Sequence, residues 1–146
     1  MLRFFRPSVD AVKPLLTTAG LPTEDLPEGL EHFLACGDSI NPDGVVGLEI
    51  FGPVALLRSL VVAEAVRGRG LGKDLVGAAE DLATQHGVGR IFLLTDTAEG
   101  FFAALGYTSA DRQSAPEPIR LSRQFAELCP ASAAFMAKVL QQPAAR

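Results

Sequence analysis

The stretch from residue 60 to residue 72 constrains the fold of this 146-residue chain more than any other part of it. It opens with the apolar run Leu60, Val61 and Val62, which is typical of the end of a buried strand. Glycines then follow at positions 68, 70 and 72. Because glycine has no Cβ to obstruct them, successive N–H groups can turn inwards ahead of a helix. The segment therefore predicts a strand, a tight turn and a helix N-terminus in direct succession, an arrangement that binds phosphate groups.

A helical pattern follows the glycines directly. Apolar residues recur at three- and four-residue steps over residues 71–83, which places them on one face of a helix, and Gly87 marks its end. Two common phosphate motifs do not fit. A P-loop needs Ser or Thr after Lys73, where Asp74 stands, and a dinucleotide fingerprint needs a third glycine at Lys73. A glycine-rich helix start with a solvated basic face and no ligand is the alternative that the spacing leaves open.

The remaining segments predict a mixed α/β domain. Apolar runs and turn signals give an antiparallel hairpin over residues 44–51 and 54–62, and the helix then crosses over to a strand at 90–95. Further elements are expected as strands at 2–6, 32–36, 107–112 and 133–140, and as helices near 8–19 (capped by Ser8 or Asp10), 24–30, 98–105 and 122–128. The expected fold is a mixed, mostly antiparallel central sheet with helices on both faces, in a single domain over residues 1–146.

Charge and cysteine content narrow the functional class. Lys and Arg number 13 against 17 Asp and Glu, for a net charge of -4, whereas a nucleic-acid-binding domain usually has a basic excess. No apolar run reaches the roughly 18 residues that a membrane span needs, and Pro7 and Asp10 interrupt any signal peptide. Cys36 and Cys129 form no CxxC pair. These features predict a soluble cytoplasmic protein with no nucleic-acid or membrane partner and no metal site.

The pattern Arg67-Gly-Arg-Gly70-Leu-Gly72 resembles the (Q/R)-x-x-G-x-(G/A) signature of the GCN5-related N-acetyltransferases, the GNAT family. The run LRSLVV before it, IFLLT after the helix, and FFAALGY at 101–107 are similar to the neighbouring elements of that family. The order of elements fits from residue 2 to about residue 140. The resemblance implies the GNAT fold and an acetyl-CoA-dependent N-acetyltransferase that acts on a small primary amine by direct transfer.

The resemblance also implies which residues bind acetyl-CoA. Backbone N–H groups of residues 68–72 would hold the pyrophosphate, and the backbone of residues 60–62 would pair with the pantetheine arm. An N–H near Val61 or Val62 would stabilise the oxyanion, and Phe102 would help to line the acetyl and thiol region. The expected cofactor-binding set is Leu60, Val61, Val62, Arg67, Gly68, Arg69, Gly70, Leu71, Gly72, Lys73 and Phe102.

Two residues are candidates for catalysis, and each has a structural alternative. A carboxylate is a natural base for an amine acceptor. Arg58 occupies a position where relatives often have Glu, and Glu49, on the neighbouring strand, is the nearest alternative carboxylate. Glu49 is equally well interpreted as a solvent-facing residue or as the partner of Arg58. Arg58 either joins such a structural pair, the slightly favoured interpretation, or clamps the carboxylate of an amino-acid-like substrate.

The position of the usual acid departs from the family pattern. Phe102 stands where many members have a tyrosine that protonates the leaving thiolate. Tyr107, the sole tyrosine, is interpreted as structural, and Ser59 and Cys129 are weaker candidates for the acid. Another group, water, or unassisted departure of the thiolate remain open. The departure also keeps open a second function, that of a non-catalytic acyl-CoA-binding module.

Two further features bear on the acceptor. Seven acids and no Lys or Arg lie between Pro14 and Leu57, which indicates either steering of a cationic amine or a plain solvated face. The tail at 116–140, with its LCPASA core, resembles acetyltransferases found with bacterial arsenic-resistance genes, so the acceptor is expected to be an amino acid or an organoarsenical analogue. The two cysteines alone do not support an arsenic site. A homodimer is the expected assembly.

Overall fold

The computed structural model describes residues 3–128 and 132–140. Its longer helices are α1 (Val9–Thr18) and α2 (Leu71–Gln85), and its shorter ones are α3 (Glu99–Ala104) and α4 (Glu117–Arg120). The strands are β1 (Phe33–Gly37), β2 (Pro42–Phe51), β3 (Val54–Val62), β4 (Arg90–Thr95), β5 (Thr108–Ser109) and β6 (Ala134–Val139).

The six strands form one mixed sheet in the order β1-β2-β3-β4-β6-β5. The pairs β1–β2, β4–β6 and β5–β6 are antiparallel, whereas β3 and β4 are parallel because α2 connects them as a crossover helix. The predicted mixed, mostly antiparallel sheet is therefore confirmed.

The chain divides into two compact units. The first comprises the residues up to Leu48 together with Leu57–Leu82. Its core joins one face of α1 to strands β1, β2 and β3, through the buried residues Val12, Leu16, Leu30, Phe33, Ala35, Val45 and Val61. Ser8 begins α1, as one of the two predicted caps: its Oγ accepts the Ala11 N–H at 3.2 Å.

The second unit comprises Glu49–Leu56 and the residues from Ala83 onwards. Its core consists of the buried residues Leu56, Phe92, Ile119, Phe135 and Ala137. Phe92 and Phe135 stack with their ring centroids 5.4 Å apart, on the paired strands β4 and β6. The expectation of a single domain over residues 1–146 stays a prediction.

Two predicted elements in the first unit are wrong. The strand at 2–6 is reduced to one bridge, in which Phe5 and Ala35 exchange two backbone hydrogen bonds of 2.8 Å; Met1 and Leu2 lie outside the described residues. The helix at 24–30 is a series of turns. Pro27 and Gly29 occupy its interior, where one removes a donor and the other favours non-helical backbone.

The predictions near the C-terminus are partly correct. The strands at 90–95 and 133–140 and the helix at 98–105 are confirmed as β4, β6 and α3. The strand at 107–112 is only two residues long, and the helix at 122–128 is a π-helical turn at Gln124–Leu128. Helix α4 has no counterpart in the prediction, because four residues are too few to show a hydrophobic period.

No helix within the described ranges is both long and apolar enough to cross a membrane.

A close contact between two strands depends on the absence of a side chain. Gly47 of β2 pairs with Phe33 of β1, and a Cβ at Gly47 would lie 2.5 Å from two atoms of the Phe33 ring. Phe33 is fully buried in the first unit, so the ring has little room to move. Glycine at position 47 is therefore a packing requirement of the β1–β2 pair.

We predict that Gly47→Ala lowers the free energy of unfolding by about 1–3 kcal/mol, the usual cost of overpacking a core. The matched control is Gly77→Ala on the exposed face of α2, where a Cβ meets no atom within 4 Å. That change should raise stability by about 1 kcal/mol, since alanine is the better helix former. Urea denaturation measures both, and a Gly47→Ala protein as stable as the parent would contradict the contact.

Candidate active site

The junction between β3 and α2 is tied to β2 by a backbone hydrogen bond and to the end of β3 by a side-chain hydrogen bond. The Ala63 N–H donates to the Asp43 carbonyl at 2.7 Å, just after β3 ends. A single 3₁₀ turn, Glu64–Val66, follows. Arg67 then folds back, and its Nε donates to the Val62 carbonyl at 3.0 Å. The loop that leads into α2 is thus held against the last residue of the strand.

A glycine turn precedes α2, and two of its three glycines have left-handed backbone. Gly68 has φ of 84° and Gly70 has φ of 78°. A Cβ at either position would meet no protein atom within 4 Å, so the protein itself does not require glycine there for space. The conformation requires it instead, and the open space leaves room for a group that approaches the backbone.

The start of α2 presents backbone donors towards the same loop. The first i→i−4 bond of the helix joins the Asp74 N–H to the Gly70 carbonyl at 3.2 Å. The N–H groups of residues 71–73 precede this bond, so the helix offers them no acceptor of its own, and they lie at its positive end. Arg69 and Lys73 are exposed beside them. Amides and cations of this kind fit a phosphate or pyrophosphate.

A buried ion pair involves a candidate residue on β3. Arg58 is 3% exposed, and its guanidinium binds the Asp25 carboxylate in a bidentate arrangement: Nη1 to Oδ2 and Nη2 to Oδ1, each at 2.7 Å. Nη1 also donates to the Asp25 carbonyl at 3.4 Å. The guanidinium carbon lies 5.7 Å from the centroid of the Phe33 ring. The structure thus contains a structural ion pair of Arg58, but its acid is Asp25 and not Glu49, the partner that the sequence suggested.

The residue after Arg58 has an unusual backbone for a strand. Ser59 has φ of 59°, in the left-handed region, although it lies inside β3. Its Oγ accepts a hydrogen bond from Arg58 Nε at 3.0 Å. A left-handed residue inside a strand is typical of a β-bulge, which redirects the residues after it. Both faces of this part of β3 are covered, since Ala55, Leu56, Leu57, Arg58 and Ser59 are all buried.

The pairing between β3 and β4 is short. The parallel register consists of Val54–Arg90, Ala55–Ile91 and Leu56–Phe92. It ends well before Leu60, Val61 and Val62, which complete β3. Val61 is buried in the core of the first unit, whereas Leu60 and Val62 are partly exposed.

Glu49 lies in the last third of β2 and is half-buried. The residues before it, from Gly44 to Leu48, are all buried, so both faces of this part of β2 are covered. The role of Glu49 as a base stays a prediction.

Phe102 packs within an aromatic group. It is 5% exposed, and its ring meets those of Phe101 at 5.0 Å and Tyr107 at 5.6 Å, edge to face in both cases. Tyr107 is 1% exposed and lies under the Lys138 ammonium, 5.5 Å from the ring centroid. This burial supports the interpretation of Tyr107 as a structural residue.

The thiol of Cys36 is unsuited to nucleophilic or metal-binding roles. The residue is buried on β1. Burial raises the pKa of the Cys36 thiol, and the nearby carboxylates of Asp43 and Asp74 raise that pKa further. The thiol stays protonated at neutral pH, whereas the thiolate is the form that attacks and binds. Cys129 lies outside the described residues.

Asp25 is the site residue that the sequence analysis did not single out. It is one of the seven acids between Pro14 and Leu57 and lies in the segment 24–30, where the predicted helix does not form. A guanidinium is costly to bury without a partner, and that cost at Arg58 is the available signal. It requires a carboxylate, but several acids satisfy the requirement equally well on sequence alone.

The chain belongs to the acetyltransferase (GNAT) family, whose model matches residues 14–107. An uncharacterized N-acetyltransferase of Chlorobaculum tepidum is 38% identical over 66 residues, which are 45% of this chain and 42% of the relative. The chain therefore spans less than half the length of that relative.

Solved structures share the fold. The N-acetylglutamate synthase of Neisseria gonorrhoeae, complexed with coenzyme A and N-acetyl-glutamate, matches 97% of this chain and 36% of its own, with a TM-score of 0.79 and 19% identity. A Mycobacterium tuberculosis protein complexed with coenzyme A and a second ligand matches 95% of this chain and 99% of its own, with a TM-score of 0.74 and 21% identity. The fold predicted from the family resemblance is confirmed.

The left-handed conformation of Ser59 has a direct test. Ser59→Gly and Ser59→Ala both remove the hydroxyl that Arg58 Nε binds, so the two variants differ only in backbone preference. Because Ser59 has φ of 59°, we predict that the glycine variant is more stable than the alanine variant by about 1 kcal/mol in urea denaturation. An ordinary extended residue would give the opposite order, because alanine outperforms glycine there.

Proposed function

We propose that this chain is an acetyl-CoA-dependent N-acetyltransferase that transfers the acetyl group directly to the amine of a small molecule. The observation that carries the proposal is the junction of β3 and α2: a strand end, two left-handed glycines and a helix N-terminus flanked by Arg69 and Lys73. Membership of the GNAT family, whose enzymes use acetyl-CoA as donor, supports the same activity.

The pyrophosphate of acetyl-CoA would bind at the glycine turn. The N–H groups of residues 71–73 face away from the helix interior at its positive end, and Gly68 and Gly70 leave the approach open. Arg69 and Lys73 add charge, and Arg67 contributes by holding the loop against Val62. The fit depends on backbone geometry. Apart from the glycines, it requires no particular residue type.

The pantetheine arm would pair with the end of β3. The register with β4 stops at Leu56, which supports a role for the backbone of residues 60–62 as the partner of an extended ligand. An N–H at Val61 or Val62 would then stabilise the oxyanion of the tetrahedral intermediate. Phe102, in its aromatic group, would line the acetyl and thiol region.

The transfer itself is a substitution at the thioester carbonyl. The amine nitrogen attacks the carbonyl carbon and forms the C–N bond, the tetrahedral intermediate collapses, and the C–S bond breaks to release the thiolate of CoA. The proton lost by the amine passes to Glu49 through water. Solvent protonates the thiolate, whose low pKa makes it a good leaving group without an acid at Phe102.

For the acceptor we propose an amino acid or an organoarsenical amino acid. The tail at 116–140 resembles acetyltransferases found with arsenic-resistance genes. The N. gonorrhoeae neighbour was solved with an acetylated amino acid, N-acetyl-glutamate. A screen of amino acids and their arsenic analogues, with release of the CoA thiol as the signal, tests this choice.

Binding and turnover separate the enzyme from the alternative, an acyl-CoA-binding module. We expect calorimetric titration to give micromolar affinity for acetyl-CoA, similar affinity for desulfo-CoA, and weak binding of ATP. Micromolar affinity corresponds to about -8.2 kcal/mol. Tight acetyl-CoA binding with no thiol release in the amine screen would favour the module, and no acetyl-CoA binding would overturn both functions.

We predict that Gly70→Ala weakens acetyl-CoA binding at least about tenfold, or about 1.4 kcal/mol, because the new methyl enters the phosphate approach. Gly20→Ala is the matched control: Gly20 also has a positive φ, of 74°, and open space around its Cβ, but lies after α1. Both variants bear the same backbone strain, so the difference between their calorimetric affinities isolates the phosphate site. Parental affinity in a folded Gly70→Ala protein would contradict it.

We predict that Glu49→Gln lowers kcat by about 100-fold or more, the usual contribution of a general base, while the affinity for acetyl-CoA is unchanged. Activity of the variant should rise with pH as the amine loses its proton in solution. Asp81→Asn, at an exposed position on α2, serves as a control for the loss of one acidic charge. Thiol-release assays across pH measure the effect, and parental turnover at every pH would remove Glu49 as the base.

A further inference from the structure

The contact between Arg58, Asp25 and Ser59 combines two costs that proteins normally avoid. The ion pair takes two charges out of water, since the side chains of Arg58 and Asp25 are 0% and 6% exposed. Ser59 adopts a left-handed conformation that side chains other than glycine rarely adopt. The two features share a hydrogen bond, from Arg58 Nε to Ser59 Oγ at 3.0 Å. Their combination calls for a joint explanation.

We propose that the Arg58–Asp25 ion pair is a positioning device for the end of β3. Asp25 fixes the plane of the guanidinium through two charge-assisted bonds of 2.7 Å. The fixed guanidinium holds the Ser59 hydroxyl, and through it the left-handed turn of the backbone. This left-handed turn sets the direction of residues 60–62, whose backbone holds acetyl-CoA in the proposed function.

The geometry of the guanidinium explains why arginine suits this role. Nη1 and Nη2 bind the two oxygens of one carboxylate, and Nε points along the third direction to Ser59. A lysine ammonium carries the same charge but lacks the planar fork that binds two partners in fixed directions. Phe33 closes one side of the group at 5.7 Å. The arrangement transmits the position of Asp25, in the segment between α1 and β1, to the backbone of β3.

Asp25 and Arg58 act through the backbone and are positioning residues. This inference rests on the proposed function for its effect on turnover, but the claim about the backbone stands separately. A test therefore needs one readout in the absence of acetyl-CoA and a second one on catalysis.

The variants are chosen to keep the protein folded. Removing one partner of a buried pair leaves an uncompensated charge, whereas replacing both partners by apolar side chains is often neutral for stability. The double variant Asp25→Leu/Arg58→Met therefore removes the device, and Arg58→Lys keeps the charge without the fork. Phe5→Leu, at a half-buried position in the same unit, is a control for a change in core packing.

The first readout is amide NMR of the protein without ligand. In the double variant and in Arg58→Lys, we expect the signals of residues 59–62 to shift and their hydrogen exchange to accelerate, while those of α2 stay in place. Phe5→Leu should leave residues 59–62 unchanged. Unchanged signals and exchange at residues 59–62 in a folded Arg58→Lys or double variant would overturn the proposal, whether or not the protein binds acetyl-CoA.

The second readout is kinetic. We expect kcat to fall about 100-fold in the double variant, the effect of a misplacement of about 1 Å at a reacting group, with a change of less than about tenfold in acetyl-CoA affinity because the glycine turn is intact. Parental kcat in the folded double variant would reduce the pair to a purely structural contact. Failure of the parent protein to bind acetyl-CoA would overturn the proposed function, and the NMR readout would still decide the positioning claim.

Discussion

A buried guanidinium requires a partner for its charge, and this requirement organises the first unit of the molecule. Arg58 lies in the middle of β3, and its side chain is wholly removed from solvent. Asp25 pairs with this charge. The segment after α1 runs as turns, which bring the carboxylate and the carbonyl of Asp25 to the guanidinium. A regular helix at 24–30 would compete with this arrangement. The turns that Pro27 and Gly29 favour locally thus also place Asp25 against a charge that is costly to bury alone.

The end of β3 and the glycine turn that follows it are held next to each other. The strand ends in a backbone bent at Ser59, and the loop returns to it through the hydrogen bond from Arg67 to Val62. Helix α2 then begins with amides that its own hydrogen bonds leave unused. Backbone N–H and carbonyl groups from about a dozen consecutive residues lie together here, which explains why the sequence signal for the site is so local.

That locality also explains what could be predicted from the sequence. The strand, glycine turn and helix are encoded by consecutive residues, so β3, the turn and α2 followed from apolar period and glycine spacing. The partner of Arg58 depends on a contact 33 residues away along the chain. The bend at Ser59 has no signal of its own, because serine is ordinary in strands and only the tertiary contacts of Arg58 make its left-handed conformation tenable.

Two positions that transfer protons in many relatives hold side chains unable to do so here. Arg58 is permanently charged, and Phe102 has no proton to give. Proton transfer usually contributes about 10²–10⁴-fold to a rate, which corresponds to about 3–5 kcal/mol. Orientation of the reactants contributes more, up to about 7–11 kcal/mol. Glu49 is the one base proposed for the site, so orientation of the amine against the thioester is the larger contribution that this site can make to the rate.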